Sequence, residues 1–435
     1  MYKRVIVGTM ISWLVAIATP ALAQSQPFRG LFGAQAAAAE PPRSLDFTSS
    51  VSGVYDSNPP RLLASGPAGG TKDRAFHYTD LRTGMWYTQR GKLVTFSASE
   101  GSAAQYYPQV EHGLRWSQTG AAGIVARTKR SAFRAEQQLG YSPFYHFRAV
   151  PVSSGSTPAL ADVAPPDSAF AVSGHESYRY GTGLGWTFRP TDRAALGLEY
   201  RREDINFVQP ADRDWTTRDA GIRWDRSLTR SMALGAGYSY YRRDFQGNRL
   251  PVIRQNIELG VNYNNTLQSP RTTFSFSMGS TVVSLPRTVA SVSTQSNFFR
   301  VIGHAVLDHH LNRTWRLNGS YDRGLQSIVG VSDVFFADRV MAGIGGNFGP
   351  RVDLRAATDY STGGLRLSTR QRGYNSQAST AQLRVAVSRN LAAQVDYLYY
   401  RFLFPDNVTL PTGTPSRDTR HSFRVGLTTW FPLLP

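Results

Sequence analysis

Short polar turns recur along most of this 435-residue chain roughly every 39 residues, and one longer connection falls between each pair. That rhythm limits the folds open to it. The turns are Arg90-Gly91-Lys92, Thr128-Lys129-Arg130, Pro190-Thr191-Asp192, Ser227 to Arg230, Leu267 to Pro270, Leu311-Asn312-Arg313, Phe348-Gly349-Pro350 and Ser388-Arg389-Asn390. The longer connections are Pro/Ser/Asp-rich, as in Arg148 to Ser173, Gln246 to Val252, Leu285 to Ser293, Ser361 to Tyr374 and Pro405 to Asp418. Between them apolar and polar residues alternate, for example over Asp219 to Asp225, Arg316 to Asp322 and Arg384 to Val387. A period of two marks a strand whose two faces meet unlike surroundings.

A propeller would repeat about four short strands and a signature motif per unit. Here each unit holds two long segments and no shared motif. Two long strands, one tight turn and one long loop make the repeat of a transmembrane β-barrel. The expected fold is therefore all-β, a single antiparallel up-and-down barrel. Strands are expected near 45–56, 75–89, 93–104, 109–127, 131–147, 175–189, 193–206, 215–227, 231–245, 253–266, 271–284, 294–309, 315–327, 335–348, 352–360, 374–387, 391–404 and 419–431. That gives 18, with 16 or 20 if the 93–127 region holds one hairpin fewer or more. Both ends of the barrel segment then lie on the periplasmic side.

Composition agrees with this. Only 18% of residues are charged while 12% are aromatic, a charge content below that of soluble domains, and no apolar run in the mature chain is long enough for a membrane helix. There is no Cys, which removes disulfides, thiolate metal sites and cysteine nucleophiles. Residues 1–23 read as a secretory signal peptide: Lys3 and Arg4, an apolar stretch from Val5 to Ala18, then Ala21-Leu22-Ala23. Residues 24–44 read as a flexible periplasmic leader, and 45–435 as an outer-membrane barrel of a Gram-negative bacterium.

Facing follows from the last strand, where Phe423, Val425, Leu427 and Phe431 share one parity and Arg420, Ser422, Arg424 and Thr428 the other. An arginine facing lipid at the bilayer midplane costs about 2–4 kcal/mol, so its parity points inward. Applied along the chain, the rule assigns Arg82, Arg115, Arg134, Arg179, Arg201, Arg223, Arg300, Arg316, Arg355, Arg384, Arg420 and Arg424 to the pore lining. It also puts Glu111, Glu136, Glu199, Asp219, Asp225, Glu258, Asp308, Asp322, Asp353 and Asp396 there. The formal net charge of +18 suggests an anion-concentrating pore, yet these lists nearly balance, and Arg90, Lys92, Lys129, Arg130 and Arg313 in the turns suit lipid phosphates equally well. Aromatic pairs such as Trp86-Tyr87, Tyr106-Tyr107 and Trp430-Phe431 are expected as interfacial girdles, with Tyr241 and Tyr400 as the alternative, a sugar-stacking track.

No catalytic, phosphate-binding or calcium-binding motif is present, and nothing asks for a cofactor. His309-His310 would point to opposite faces of a strand, a poor two-ligand metal site. The expectation is a non-enzyme that does not bind nucleic acid.

The signal peptide, the opening strand Phe47 to Asn58 with its Tyr55-Asp56-Ser57-Asn58 stretch, and the hairpin train resemble the β-barrel porin type outer-membrane proteins of Proteobacteria, of the kind associated with exopolysaccharide export clusters. An Arg-bearing 18-stranded barrel is also similar in architecture to the alginate export channel. One departure is the chain end: the aromatic Phe431, in Arg424-x-Gly426-x-x-Thr429-x-Phe431, is followed by Pro432-Leu433-Leu434-Pro435. The resemblance implies a channel passing exopolysaccharide outward. The alternatives are a general or anion-preferring diffusion porin for small solutes and a non-conducting structural or adhesion barrel plugged by its Arg148 to Ser173 loop. Expected partners are outer-membrane lipid and lipopolysaccharide, the barrel-assembly machinery during biogenesis and, for export, polysaccharide and periplasmic export proteins.

Overall fold

The computed structural model describes residues 42–58, 75–109, 113–143, 145–146, 171–173, 176–208, 214–229, 231–246, 251–264, 271–289, 292–312, 314–327, 334–365, 373–405 and 415–434. The expected signal peptide, nearly all of the expected leader, Glu111, Arg313 and most of the expected Arg148 to Ser173 loop lie outside them. The strands are β1 (Arg43–Asp56), β2 (Phe76–Arg90), β3 (Val94–Tyr106), β4 (Leu114–Arg127), β5 (Ser131–Ser142), β6 (Tyr145–His146), β7 (Ala171–Ser173), β8 (Ser177–Thr191), β9 (Ala194–Phe207) and β10 (Trp215–Ser227). They continue with β11 (Met232–Phe245), β12 (Val252–Asn264), β13 (Thr272–Val289), β14 (Val292–His310), β15 (Arg316–Ser327), β16 (Val334–Phe348), β17 (Val352–Leu365), β18 (Tyr374–Ala386), β19 (Leu391–Leu403) and β20 (Arg417–Leu434).

Eighteen of these form one antiparallel sheet in which each strand pairs with its chain neighbours, β8 following β5, and β20 returns to pair with β1. Closure satisfies every edge, which a sheet in lipid requires. The remaining two, β6 and β7, pair only with each other. Connections of two to seven residues gather at one end of the barrel, together with Arg43 and Leu434, and mostly longer ones at the other, the two-residue link between β13 and β14 excepted. In the β16–β17 turn Gly349 takes φ of 65°, the left-handed region where a side chain is strained.

Directly paired residues share a face, so the register sorts every side chain. The outcome is inverted relative to a soluble protein. Outward residues are apolar and exposed, with Leu259 at 68%, Val425 at 62%, Phe299 at 61% and Ile257 at 60%. Inward positions hold the buried polar groups, with Asp56, Asp80, Thr281 and Ser361 all at 0%. Such an arrangement is stable only where hydrocarbon bathes the outside.

The strand count of 18 and most boundaries follow the alternation, but four places differ. β4 begins at Leu114 rather than near 109, and β5 stops at Ser142 rather than 147. Within the stretch 285–293, expected as a loop, residues 285–289 and 292–293 extend the β13–β14 ladder, paired from Leu285↔Ser296 to Val289↔Val292. Likewise β17 runs on to Leu365 through part of the expected Ser361 to Tyr374 loop. Alternation is imposed by lipid on one side and lumen on the other; beyond that belt, backbone pairing alone extends a ladder and leaves no such pattern.

Candidate functional site

The lumen wall divides into a packed half and an open half. In the packed half, β1, β2 and β20 meet at the closure seam. Arg420 Nε donates to both carboxylate oxygens of Asp56, at 2.8 and 2.9 Å, and both side chains are buried. Next to them Asp80 accepts from Arg82 Nε at 2.6 Å and lies 3.2 Å from Arg424 Nη2, while Gln105 donates to it at 3.1 Å. Tyr78 and Tyr107 stack over this network at 4.7 Å. Further round, Arg384 and Arg355 share Asp353, at 2.7 and 3.3 Å. Arg339 is bonded to Asp359, its Nε 2.8 Å from Oδ2, and Phe335, Tyr374 and Phe404 close into an aromatic cluster above them. Paired and desolvated in this way, these arginines act as wall struts.

The open half comprises β5 and β8 to β11. Arg134, Arg179 and Arg223 are about half exposed there, each with a carboxylate partner: Glu136 at 2.6 Å, Glu203 at 3.1 Å and Asp225 at 3.0 Å. Arg201 is exposed opposite Asp219 in the register. The positions between them are glycines of inward parity, Gly181, Gly183 and Gly185 on β8, Gly197 on β9, Gly221 on β10 and Gly235 and Gly237 on β11. A Cβ at Gly183 would meet Glu136 Cγ at 2.7 Å, and one at Gly235 would meet Asp225 Oδ1 at 2.6 Å and Arg223 Nη2 at 3.0 Å. The charged side chains therefore lie flat against bare backbone. That keeps charge on the wall without narrowing the passage.

Toward the loop end β15 leans inward over β14. β14 and β15 stay paired only up to Gly303↔Arg323, and above that point Leu325 packs with Val252 and Val283 of β12 and β13. Arg254 Nη1 donates to the Leu325 carbonyl at 3.2 Å and its guanidinium lies 4.6 Å from the Tyr241 ring centre. Arg243 sits over Trp215 at 5.5 Å. On the same face, Arg316 bonds Asp308 at 2.7 and 2.8 Å, His304 bonds Asp322, and Arg300 Nη1 donates to the Phe299 carbonyl at 2.9 Å. Arg115 Nη1 donates to the Leu114 carbonyl at 3.3 Å.

Of the arginines singled out in the sequence, the register brings Arg134, Arg179, Arg201 and Arg223 onto one contiguous strip, and ties Arg82, Arg384, Arg420 and Arg424 into the seam and its flank. Arg243, Arg254 and Arg339 share the inward face and were missed. For Arg242-Arg243 and Asp338-Arg339 two charged neighbours necessarily point opposite ways, and local parity does not say which is inside. The glycine strip did carry a signal, Gly181-x-Gly183-x-Gly185 at strand period. As for a sugar track, Tyr400 is buried against Phe402 and Tyr241 lies beneath Arg254, so neither ring offers a free face. His309 bonds Thr272 at 2.7 Å while His310 points to the other face near Asp308, and among the described residues no group of three metal-ligating side chains occurs.

No family model and no curated protein matches the chain. Among solved structures it is similar to OccK2 (OpdF) of Pseudomonas aeruginosa, at 9% identity and a TM-score of 0.45 over 90% of this chain and 98% of that one. OccAB3 of Acinetobacter baumannii matches at 11% identity and a TM-score of 0.43 over 90% and 99%. The unliganded ferric citrate transporter FecA matches at 11% and 0.45 over 89% of this chain and 64% of that one. The likeness is coarse and says nothing about cargo.

Proposed function

We propose that this chain is an outer-membrane channel for small hydrophilic solutes with a preference for anions. The observation that carries this is the open strip of β5 and β8 to β11, where exposed arginines lie flat on a glycine wall inside a barrel whose exterior is apolar. Half-exposed guanidiniums offer an anion several weak, exchangeable contacts, which suits passage better than capture. A polymer track gains no comparable support, because the inward tyrosines that would stack sugars are packed.

The exterior supports the membrane assignment and its polarity. Reading outward residues toward the loop end, β9 runs Leu196, Leu198, Tyr200, Arg202, Asp204, and β11 runs Leu234, Ala236, Tyr238, Tyr240, Arg242, Asp244. On β10, Arg218 and Arg226 bracket Ala220, Ile222 and Trp224. That step of eight residues is about 27 Å along a strand at 3.4 Å per residue, or about 20 Å in height once tilted by 35–45°. An apolar band of that height, then tyrosine, then a row of arginines, matches hydrocarbon, interface and phosphate layers. Arg202, Arg218 and Arg242 are register neighbours joined by Asp204 and Asp244, at 2.9, 3.4 and 2.8 Å, and each guanidinium stays nearly half exposed. Phosphates of outer-leaflet lipopolysaccharide would take up the remaining donors.

Planar-bilayer recording in a KCl gradient tests the channel. The reversal potential should favour chloride, and Arg179→Gln with Arg201→Gln should move it toward zero while the channel stays open. Absence of current at both polarities, or an unchanged reversal potential in that variant, would count against the reading.

A further inference from the structure

We infer that the outward face of β3, β4, β5 and β8 is where a second copy of this chain packs within the membrane. The inference rests on the membrane-barrel reading above. On β3 the outward residues run Val94, Phe96, Ala98, Glu100, Ser102, Ala104, Tyr106, so Glu100 stands at the middle of the strand with apolar groups on both sides of it. Its facing is set by the register: Glu100 pairs with Met85 and Gly120, and two rows away Ala104 pairs with Leu81 and Trp116, both exposed on the barrel exterior. Four more polar side chains complete a diagonal stripe. Ser102 Oγ and Gln118 Nε2 donate to Glu100, the latter at 3.5 Å, and Thr182 donates to Gln137 Oε1 at 2.7 Å one strand pair further on.

Hydrocarbon offers these groups nothing. A carboxylate has about four acceptor positions and each amide two donors and an acceptor, so the two donors that reach Glu100 and the single bond to Gln137 leave capacity that lipid cannot meet. The opposite exterior is built differently, with Ile257, Leu259, Met278, Phe299 and Val301 along β12 to β14. Around the polar stripe the side chains shrink to Ala98, Ala122, Ala135 and Gly120, which lets two walls approach closely, as small residues do in membrane helix pairs.

The occupant follows from the patch itself. It carries spare acceptor positions on Glu100 and spare amide donors on Gln118 and Gln137, so a two-fold axis near Gly120 sets the donors of one copy against the acceptors of the other. A self-complementary patch is what an isologous contact needs.

The chain has no Cys, so single-cysteine variants report cleanly. Gly120 has space for a side chain, its nearest neighbour being the Ser99 carbonyl at 4.0 Å. Gly120→Cys in sparse proteoliposomes, treated with a short bismaleimide, should give a covalent dimer, whereas Leu259→Cys on the far wall should stay monomeric. Adding Glu100→Leu to Gly120→Cys should abolish the dimer while the barrel remains folded by heat-modifiability. Native mass spectrometry of the unmodified chain and of Glu100→Leu should show two copies and one. Equal cross-linking at both sites, none at Gly120→Cys, no effect of Glu100→Leu, or a three-copy mass would overturn the inference. Conductance recorded on the same samples separates the two readings: a silent dimer refutes the channel alone, and a conducting monomer refutes the dimer alone.

Discussion

Replacing Arg420 by Met at the closure seam should cost far more stability than removing any arginine of the open strip. Arg420 and Asp56 are 364 residues apart in sequence, and their side chains are 3% and 1% exposed. Asp56 keeps one other hydrogen bond on that carboxylate, from the Asn58 amide at 3.1 Å. Arg420→Met therefore strands a buried carboxylate, which costs about 3–5 kcal/mol. Asp56→Asn with Arg420→Met removes both charges and should recover most of that loss, a coupling of about 2–3 kcal/mol. Arg223, whose pair with Asp225 is 51% and 34% exposed, sets the contrast: Arg223→Met should cost about 0–1 kcal/mol. Equilibrium unfolding in guanidinium, followed by tryptophan fluorescence in detergent micelles, gives all four values. If Arg420→Met and Arg223→Met fall within 1 kcal/mol of each other, or the double variant is no better than the single, the seam does not depend on this pair.

Two further outcomes follow from the wall. Gly183→Leu and Gly235→Val should each lower single-channel conductance with the fold retained, because a Cβ there displaces Glu136 or the Arg223–Asp225 pair into the passage; an unchanged conductance would mean the solute path runs elsewhere. The triple variant Arg202→Gln, Arg218→Gln, Arg242→Gln should bind diphosphorylated lipid A about tenfold or more weakly by native mass spectrometry, with no such change for dephosphorylated lipid A, since charge-assisted hydrogen bonds contribute about 1.5–3 kcal/mol each.

Much of the barrel could be read along the chain because a strand's facing is a local property. Phe423, Val425 and Leu427 against Arg420, Ser422 and Arg424 need no knowledge of the rest of the molecule to be sorted, and the short polar turns mark where each strand reverses. Reading fails where locality ends. Alternation overlooked Arg243 and Arg339 because each follows another charged residue, and it ended β13 and β17 too early because pairing beyond the lipid belt leaves no periodic trace. Glu100 is the clearest case. Its own parity is legible, but its meaning comes from Gln118 and Gln137, which only cross-strand register brings into one stripe.

The sequence by itself determined the strand number, the turn positions and which parity meets lipid, since these follow from period-two patterning against two solvents. Only the tertiary structure decided what each inward arginine does. Register and closure are non-local: they set Arg420 and Arg424 against carboxylates more than 300 residues away and bury them, while leaving Arg179, Arg201 and Arg223 exposed on a wall rich in glycine.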